Sequence, residues 1–257
     1  MKYTIAMPGH LVNRRSFLLS ALAENRGFDQ TEVWRAGEGG YHTYRIPALI
    51  RTRRGTLLAF CEGRRQSRGD SGDIDLLVKR SVDGGRNWGA SQVVADHGPD
   101  TIGNPCPVEE RTTGVIWLPL TRNPGDKTEK QIRAAEPGAT RTVWITSSRD
   151  DGATWTNAVE ITTAAKREDW TWYATGPGVS IQLASGRLLV PCDHGVRGKP
   201  DDHFSHVIYS DDRGRTWNLG GVVGEQCNEC QMVELPGGEI TFANNRVAVA
   251  EFGSSNR

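Results

Sequence analysis

The 257-residue chain contains no run of 18 apolar residues, so its pattern offers no membrane-spanning helix. It has no excess of either charge. Its 31 basic and 31 acidic residues cancel, which leaves no electrostatic footprint for nucleic acid or an acidic membrane surface. Cysteine is scarce: Cys61, Cys106, Cys192, Cys227 and Cys230 are odd in number and scattered, which argues against a disulfide framework. Cys227-X-X-Cys230 has no second pair and no nearby histidine, so a zinc site is not expected there. The other cysteines sit in apolar strands and read as buried thiols. Long amphipathic helical patterns are also missing. What the chain has in quantity is glycine, 30 residues, together with 8 tryptophans, the composition of a turn-rich β protein.

The tryptophans lead to a repeat. Ser-X-Asp-X-Gly-X-X-Trp occurs three times, as Ser81 to Trp88, Ser148 to Trp155 and Ser210 to Trp217. Each copy follows a strand-like run: Ile74 to Val78, Thr142 to Thr146 and His206 to Tyr209. The chemistry of the copy is that of a turn. The Asp accepts hydrogen bonds from nearby backbone amides, the Gly supplies a positive φ, and the Trp covers the turn. These Asp residues are therefore read as structural.

A second element precedes each turn, a Gly followed by an apolar strand: Gly55 to Phe60, Gly114 to Leu120 and Gly186 to Pro191. A fourth copy, Gly238 to Phe242, has no turn motif after it. Each unit reads strand, loop, strand, tight turn, then further strand. Repeated antiparallel units of this kind predict an all-β fold built of propeller blades. The expected organisation is a leader over 1–30 and a β domain over 31–257. In the leader, Arg14-Arg15 precedes a short apolar run, Phe17 to Ala23, which is followed at once by Glu24-Asn25-Arg26. It resembles a twin-arginine export signal, with a disordered leader as the alternative; the protein is accordingly expected to be exported or cytoplasmic.

The three turns resemble the Asp boxes of sialidases (neuraminidases), a family of six-bladed propellers. Tyr44-Arg45-Ile46-Pro47 is similar to the family's Arg-Ile-Pro segment. Asp70 lies where the family places its acid/base Asp. Gly103-Asn104-Pro105 and the segment from Trp172 through Tyr173 to Gly178 resemble stretches of its substrate pocket. Asn228-Glu229-Cys230-Gln231 resembles the segment that carries the catalytic Glu, and Asn245-Arg246 follows where a second carboxylate-binding Arg is expected. The match runs from about residue 31 to 246 in the family's order.

The resemblance implies an exo-α-sialidase that releases terminal sialic acids with retention. Sialic acid carries a carboxylate on its anomeric carbon, which guanidinium groups bind in a two-pronged fork. The resemblance assigns Arg45 and Arg246 to that grip, with Arg64, Arg65, Asn104 and Tyr173 around the substrate. It assigns Asp70 to proton donation and Glu229 to activation of a tyrosine nucleophile, the family's departure from ordinary glycosidases. It implies sialylated glycans as partners and requires neither metal nor organic cofactor.

Several of these residues have competitors. Asp73 and Asp75 compete with Asp70; Asp75 lies within an apolar strand and Asp73 just before it, whereas Asp70 follows Gly69 in a polar loop. Glu225 and Glu234 compete with Glu229. The neighbours Arg64 and Arg65 are unresolved at this point: either one supports Asp70, or both are solvated. Asn104 reads equally as a turn residue and Tyr173 as a packing residue.

The chain also departs from the family. The five tyrosines are Tyr3, Tyr41, Tyr44, Tyr173 and Tyr209, so none follows Glu229, and the only arginine after Arg246 is Arg257. The family's nucleophile and third arginine are not supplied. The expectation is a C-terminally truncated propeller of about three to four blades. The alternative is a non-catalytic carbohydrate-binding or scaffold propeller. An Asp-box glycosidase acting on neutral sugars is a third possibility, but it gives no reason for a carboxylate grip.

Overall fold

A computed structural model describes residues 30–244 and 250–252. The leader, Arg14-Arg15 included, and Arg246 lie outside the described residues. From Val33 onward the chain packs as one unit. It is built almost wholly of strands, with two single-turn helices, Glu129–Arg133 and Thr162–Ala165, that the sequence pattern does not announce.

The first unit is an antiparallel meander of β1 (Thr43–Arg51), β2 (Leu57–Arg64), β3 (Ile74–Ser81) and β4 (Gln92–Ala95). The second repeats it. Here β5 (Thr101–Gly103) and β6 (Val108–Glu109) together line one side of β7 (Ile116–Asn123), which is followed by β8 (Thr142–Ser148) and β9 (Val159–Glu160). In the third, β10 (Trp170–Thr175) and β11 (Ile181–Gln182) line β12 (Leu188–Val196), followed by β13 (Lys199–Ser210) and β14 (Asn218–Glu225). A fourth begins with β15 (Cys230–Glu234), β16 (Ile240–Asn244) and β17 (Ala250–Phe252). These are propeller blades, three whole and a fourth begun. Among the described residues the array does not close into a ring.

All three Asp-box turns join antiparallel strands, β3 to β4, β8 to β9 and β13 to β14. Their hydrogen bonds are nearly superposable. Each Ser hydroxyl donates to its Asp at 2.8–2.9 Å and receives the Gly amide at 2.8–2.9 Å. The Asp in turn accepts the amide of Asn87, Thr154 or Thr216 at 2.8–2.9 Å. With so many donors aimed at them, Asp83 and Asp150 stay ionised down to about pH 2; hydrogen bonds to Asn87 and to Thr154 are the leading causes.

The box glycine has two reasons to be glycine. Gly152 and Gly214 have φ of 76° and 90°. A Cβ at either would also collide with the preceding blade, at Leu58 and at the Trp117 ring respectively. The box tryptophans close the same seams: Trp155 meets Phe60 edge-on at 5.6 Å, and Trp217 is buried in the apolar layer between the second and third blades. That layer and its counterpart between blades one and two, around Leu58, Phe60, Leu76 and Leu118, are the main cores. Their non-directional burial holds sheet on sheet.

A second repeat is visible only in the backbone. The first strand of each whole blade breaks at a positive-φ residue followed by proline: Ile46-Pro47, Asn104-Pro105 and Gly176-Pro177, with φ of 54°, 56° and 73°. For Ile46 this is a costly conformation, since its β-branched side chain crowds the backbone there. The break appears as a bulge between Arg45 and Ala48 in the pairing of β1 with β2. Bulges re-aim the residues beside them, and proline is tolerated in such positions because no ladder amide is required.

Candidate active site

Strand register sets the two ends of each blade. Arg45 on β1 lies opposite Glu62 on β2, and Thr43 opposite Arg64. Ser81, which opens the first Asp box, lies opposite Leu57 at the other end of β2. The Asp boxes therefore occupy one end of the blades and the candidate site the other.

At that end Arg45 and Asp70 form an ion pair at 2.7 Å. Asp70 also receives Nη1 of Arg64 at 2.8 Å. Arg64 is almost fully buried, with 3% of its side chain exposed, whereas Asp70 is 65% exposed. The loop from Gln66 to Gly72 is thus hung on a buried guanidinium, which also donates to the carbonyls of Arg68 and Gly69 at 2.8 and 2.7 Å. Arg64 in turn is fixed by Glu62, two residues earlier on the same strand face, at 2.6 Å.

Glu62 has a second task. Its other oxygen accepts the backbone amide of Asn104 at 3.1 Å, tying blade one to blade two. Gly103 permits this approach, for a Cβ there would strike the Glu62 carboxylate. The Asn104 side chain accepts from Arg141, and the Arg141 Nε donates to Thr121 at 3.0 Å. Arg141 is wholly buried and lies over the Trp172 ring at 4.1 Å. Burial pushes its pKa down, and Glu62, Asp193, Glu129 and Asp70 act against that shift.

Three carboxyls complete this end. Glu129 opens the single-turn helix capped by Thr128 and Gln131; its pKa is raised, first by burial, with Asp70 and Glu229 contributing repulsion. Asp193, near the end of β12, is fully buried, and neither of its oxygens has a hydrogen-bond partner among the described residues. Burial raises its pKa to about 8, and among its charged neighbours are Arg141, Glu129, Glu229 and Arg133. Glu229 is exposed just before β15, where Ser205 holds the Asn228 carbonyl at 2.7 Å and Gly176 accepts the Cys230 amide at 3.1 Å. Asp70 and Glu229, far apart in sequence, thus act on one common carboxyl, Glu129.

The structure separates the sequence candidates. Arg65 turns away from Asp70, to Asp73 at 3.1 Å and Asp75 at 2.6 Å, and Asp75 also receives the Tyr41 hydroxyl at 2.6 Å. These three competitors are occupied in a separate cluster. Glu225 pairs with Lys199 at 3.0 Å, and Glu234 caps the Ala184 amide at 2.8 Å. Tyr173 is fully buried, with its hydroxyl on the Cys192 thiol at 3.4 Å, so the structure uses it for packing. Asn104 is a bridge between Glu62 and Arg141 rather than a free pocket amide.

Glu62, Glu129, Arg141 and Asp193 escaped sequence reasoning. Only Glu62 carried a signal: its i, i+2 relation to Arg64 on a strand puts both on one face. No tyrosine hydroxyl contacts Glu229 among the described residues. All five cysteines are buried and outside any disulfide, and no group of His, Cys, Asp or Glu among the described residues is arranged for a metal. No helix there is long and apolar enough to cross a membrane.

The described blades thus gather arginines and carboxylates at one end, away from the Asp boxes. Residues 55–248 match the BNR repeat-like domain family, and the chain belongs to that family as a sialidase-type member. It is 33% identical to the exo-alpha-sialidase of Aspergillus fumigatus over 80% of this chain and 52% of that protein. It is 37% identical to human sialidase-4 over 77% of this chain and 44% of that protein. The chain thus spans about half the length of the curated relatives it matches. Among solved structures, the Hadza microbial sialidase Hz136 superposes with a TM-score of 0.77 at 26% identity, covering 86% of this chain and 46% of that one. The fold also matches Trypanosoma rangeli sialidase in complex with sialic acid, at TM-score 0.69 and 20% identity, over 83% of this chain and 36% of that one.

Proposed function

We propose that this chain supplies one side of the active site of an exo-α-sialidase acting on terminal sialic acids of glycans, with retention of configuration. The observation that carries the reading is the Arg45–Asp70 ion pair, a guanidinium beside an exposed carboxyl held by the buried Arg64. Arg45 grips the substrate carboxylate, which a planar guanidinium suits better than an ammonium. Asp70 gives its proton to the departing glycosidic oxygen and then takes one from water. Glu229 draws the proton from a phenol nucleophile, sparing the substrate carboxylate the repulsion of an attacking carboxylate. Arg246, which lies outside the described residues, is proposed from its place in the sequence to share the grip of Arg45. The Asn104, Arg141 and Glu62 bridge keeps this end rigid, which a positioned site requires.

Titration of the chain with N-acetylneuraminic acid and with neutral N-acetylmannosamine tests the reading. Binding of the acid alone is expected, weakened at least about tenfold by Arg45→Met, in line with loss of a charge-assisted contact. Equal binding of the neutral sugar, or full binding by Arg45→Met, would sink it.

A further inference from the structure

We propose that Asp70 is an internal occupant of Arg45, a carboxylate that the ligand's own carboxylate displaces, so that capture of the acid group and release of Asp70 are a single event. The inference rests on the sialidase reading of this site and adds to it an order of events that the residue roles alone do not contain.

The geometry of the two arginines carries it. Arg45 reaches Asp70 and the Arg68 carbonyl through the same nitrogen, Nη1, at 2.7 and 3.4 Å. Neither Nε nor Nη2 of Arg45 has a partner among the described residues. The contact is one-pronged, with 42% of the Arg45 side chain and 65% of the Asp70 side chain exposed. A ligand carboxylate that engages two nitrogens in parallel makes the stronger, charge-assisted pair. Exposed single contacts of the Arg45–Asp70 kind are weak, so what resists displacement is chiefly the second contact of the same Asp70 oxygen, on Arg64.

Arg64 behaves differently, and this difference lets the side chain leave without loosening its loop. Its charge is matched by Glu62 through two nitrogens, at 3.1 and 2.6 Å. Its remaining nitrogen holds the Arg68 and Gly69 carbonyls, and it also meets the Asp70 oxygen that Arg45 contacts, at 2.8 Å. When Asp70 leaves Arg45, the loop backbone stays pinned, and only the Asp70 side chain needs to rotate. The carboxyl is thus freed beside the newly bound sugar acid. The other acids near it, Glu129 and Glu229, make no contact with Arg45, so no second internal carboxylate waits to refill the fork.

The prediction has an unusual sign. Removing a residue of the proposed machinery should improve ligand binding. Wild type, Asp70→Asn, Asp70→Ala and Arg45→Met, each checked for folding by tryptophan fluorescence and thermal midpoint, are titrated with N-acetylneuraminic acid and with its methyl ester. Both Asp70 variants are expected to bind the free acid about two- to fivefold tighter than wild type, the span an exposed ion pair is worth. The ester, which brings no competing carboxylate, should show no such gain. Alanine guards against an asparagine that keeps the contact. If wild type binds and both Asp70 variants bind equally or more weakly, displacement is wrong while the sialidase reading stands. A gain of equal size for the ester also overturns displacement. If neither wild type nor any variant binds the free acid, the sialidase reading fails and the inference with it.

Discussion

Glu62 and Arg64 form an ion pair at 2.6 Å with only 3–4% of either side chain exposed, and both the Asp70 loop and the Asn104 amide hang on it. Removing one partner of a buried pair leaves an uncompensated charge, which costs about 3–5 kcal/mol. Glu62→Leu is therefore expected to lower stability by that order in urea denaturation. Glu62→Gln, which preserves shape and can still accept the Asn104 amide, should cost less but weaken N-acetylneuraminic acid binding, because Arg64 loses the charge that fixes it.

The box glycines make a second prediction. Gly152→Ala meets both an unfavourable φ of 76° and the Leu58 side chain of the preceding blade. The combined backbone and overpacking cost is about 2–4 kcal/mol. Gly186, whose φ is 95° but which has open space around it, is expected to cost only about 1 kcal/mol as alanine. Comparing the two midpoints separates strain from collision; equal losses would contradict the packing described here.

Asp193 predicts a pH dependence. Its pKa in the folded protein is about 8, against an ordinary value of 3.8, so the native state holds a proton that the unfolded chain releases. Stability from this group is complete below about pH 4 and is lost as pH rises through 8. Asp193→Asn should remove this slope and raise stability at pH 8 by about 1–3 kcal/mol, well below the limit that the shift would allow. The measurement is the difference between the two proteins in denaturant midpoint from pH 5 to 8. The charged groups acting on Asp193 include Arg141, Glu129, Glu229 and Arg133; a flat difference would show that water or a rearrangement satisfies the carboxyl.

Activity is expected to be low. Glu229 has no tyrosine hydroxyl in contact among the described residues, so the chain of 257 residues should hydrolyse a fluorogenic sialoside at least about a thousandfold more slowly than a complete sialidase. Turnover near that of a complete enzyme would mean that another group attacks the anomeric carbon.

Much of the fold was legible because its signals are local. Serine, aspartate, glycine and tryptophan of each box act within eight residues, and the apolar runs after Gly55, Gly114, Gly186 and Gly238 became β2, β7, β12 and β16. The site was only partly legible, because its members meet across blades. Nothing near Arg141 in the chain reveals that it will bridge Asn104 and Thr121. Arg64 and Arg65 could not be ranked by composition, yet strand alternation separates them: one face carries Glu62 and Arg64, and the next residue goes to Asp73 and Asp75. Tyr173 misled because a tyrosine in a pocket-like segment can equally be a core residue, and alternation along a bulged strand does not reveal which. The proline breaks at 47, 105 and 177 were present in the sequence all along. Their equivalence is not legible there, because only the backbone shows that they interrupt corresponding strands.

The Asp boxes and the Arg45–Asp70 pair sit at opposite ends of the same strands, and this gives the fold a division of labour. One end repeats the same turn with the same hydrogen bonds; the other uses a different residue in each blade: Arg45, Asn104, Trp172, Glu229. Changes at the repeating end are felt as stability, and changes at the varied end as selectivity. The two can therefore be altered separately, and an engineer could reinforce the turns to tolerate bolder substitutions around the candidate site.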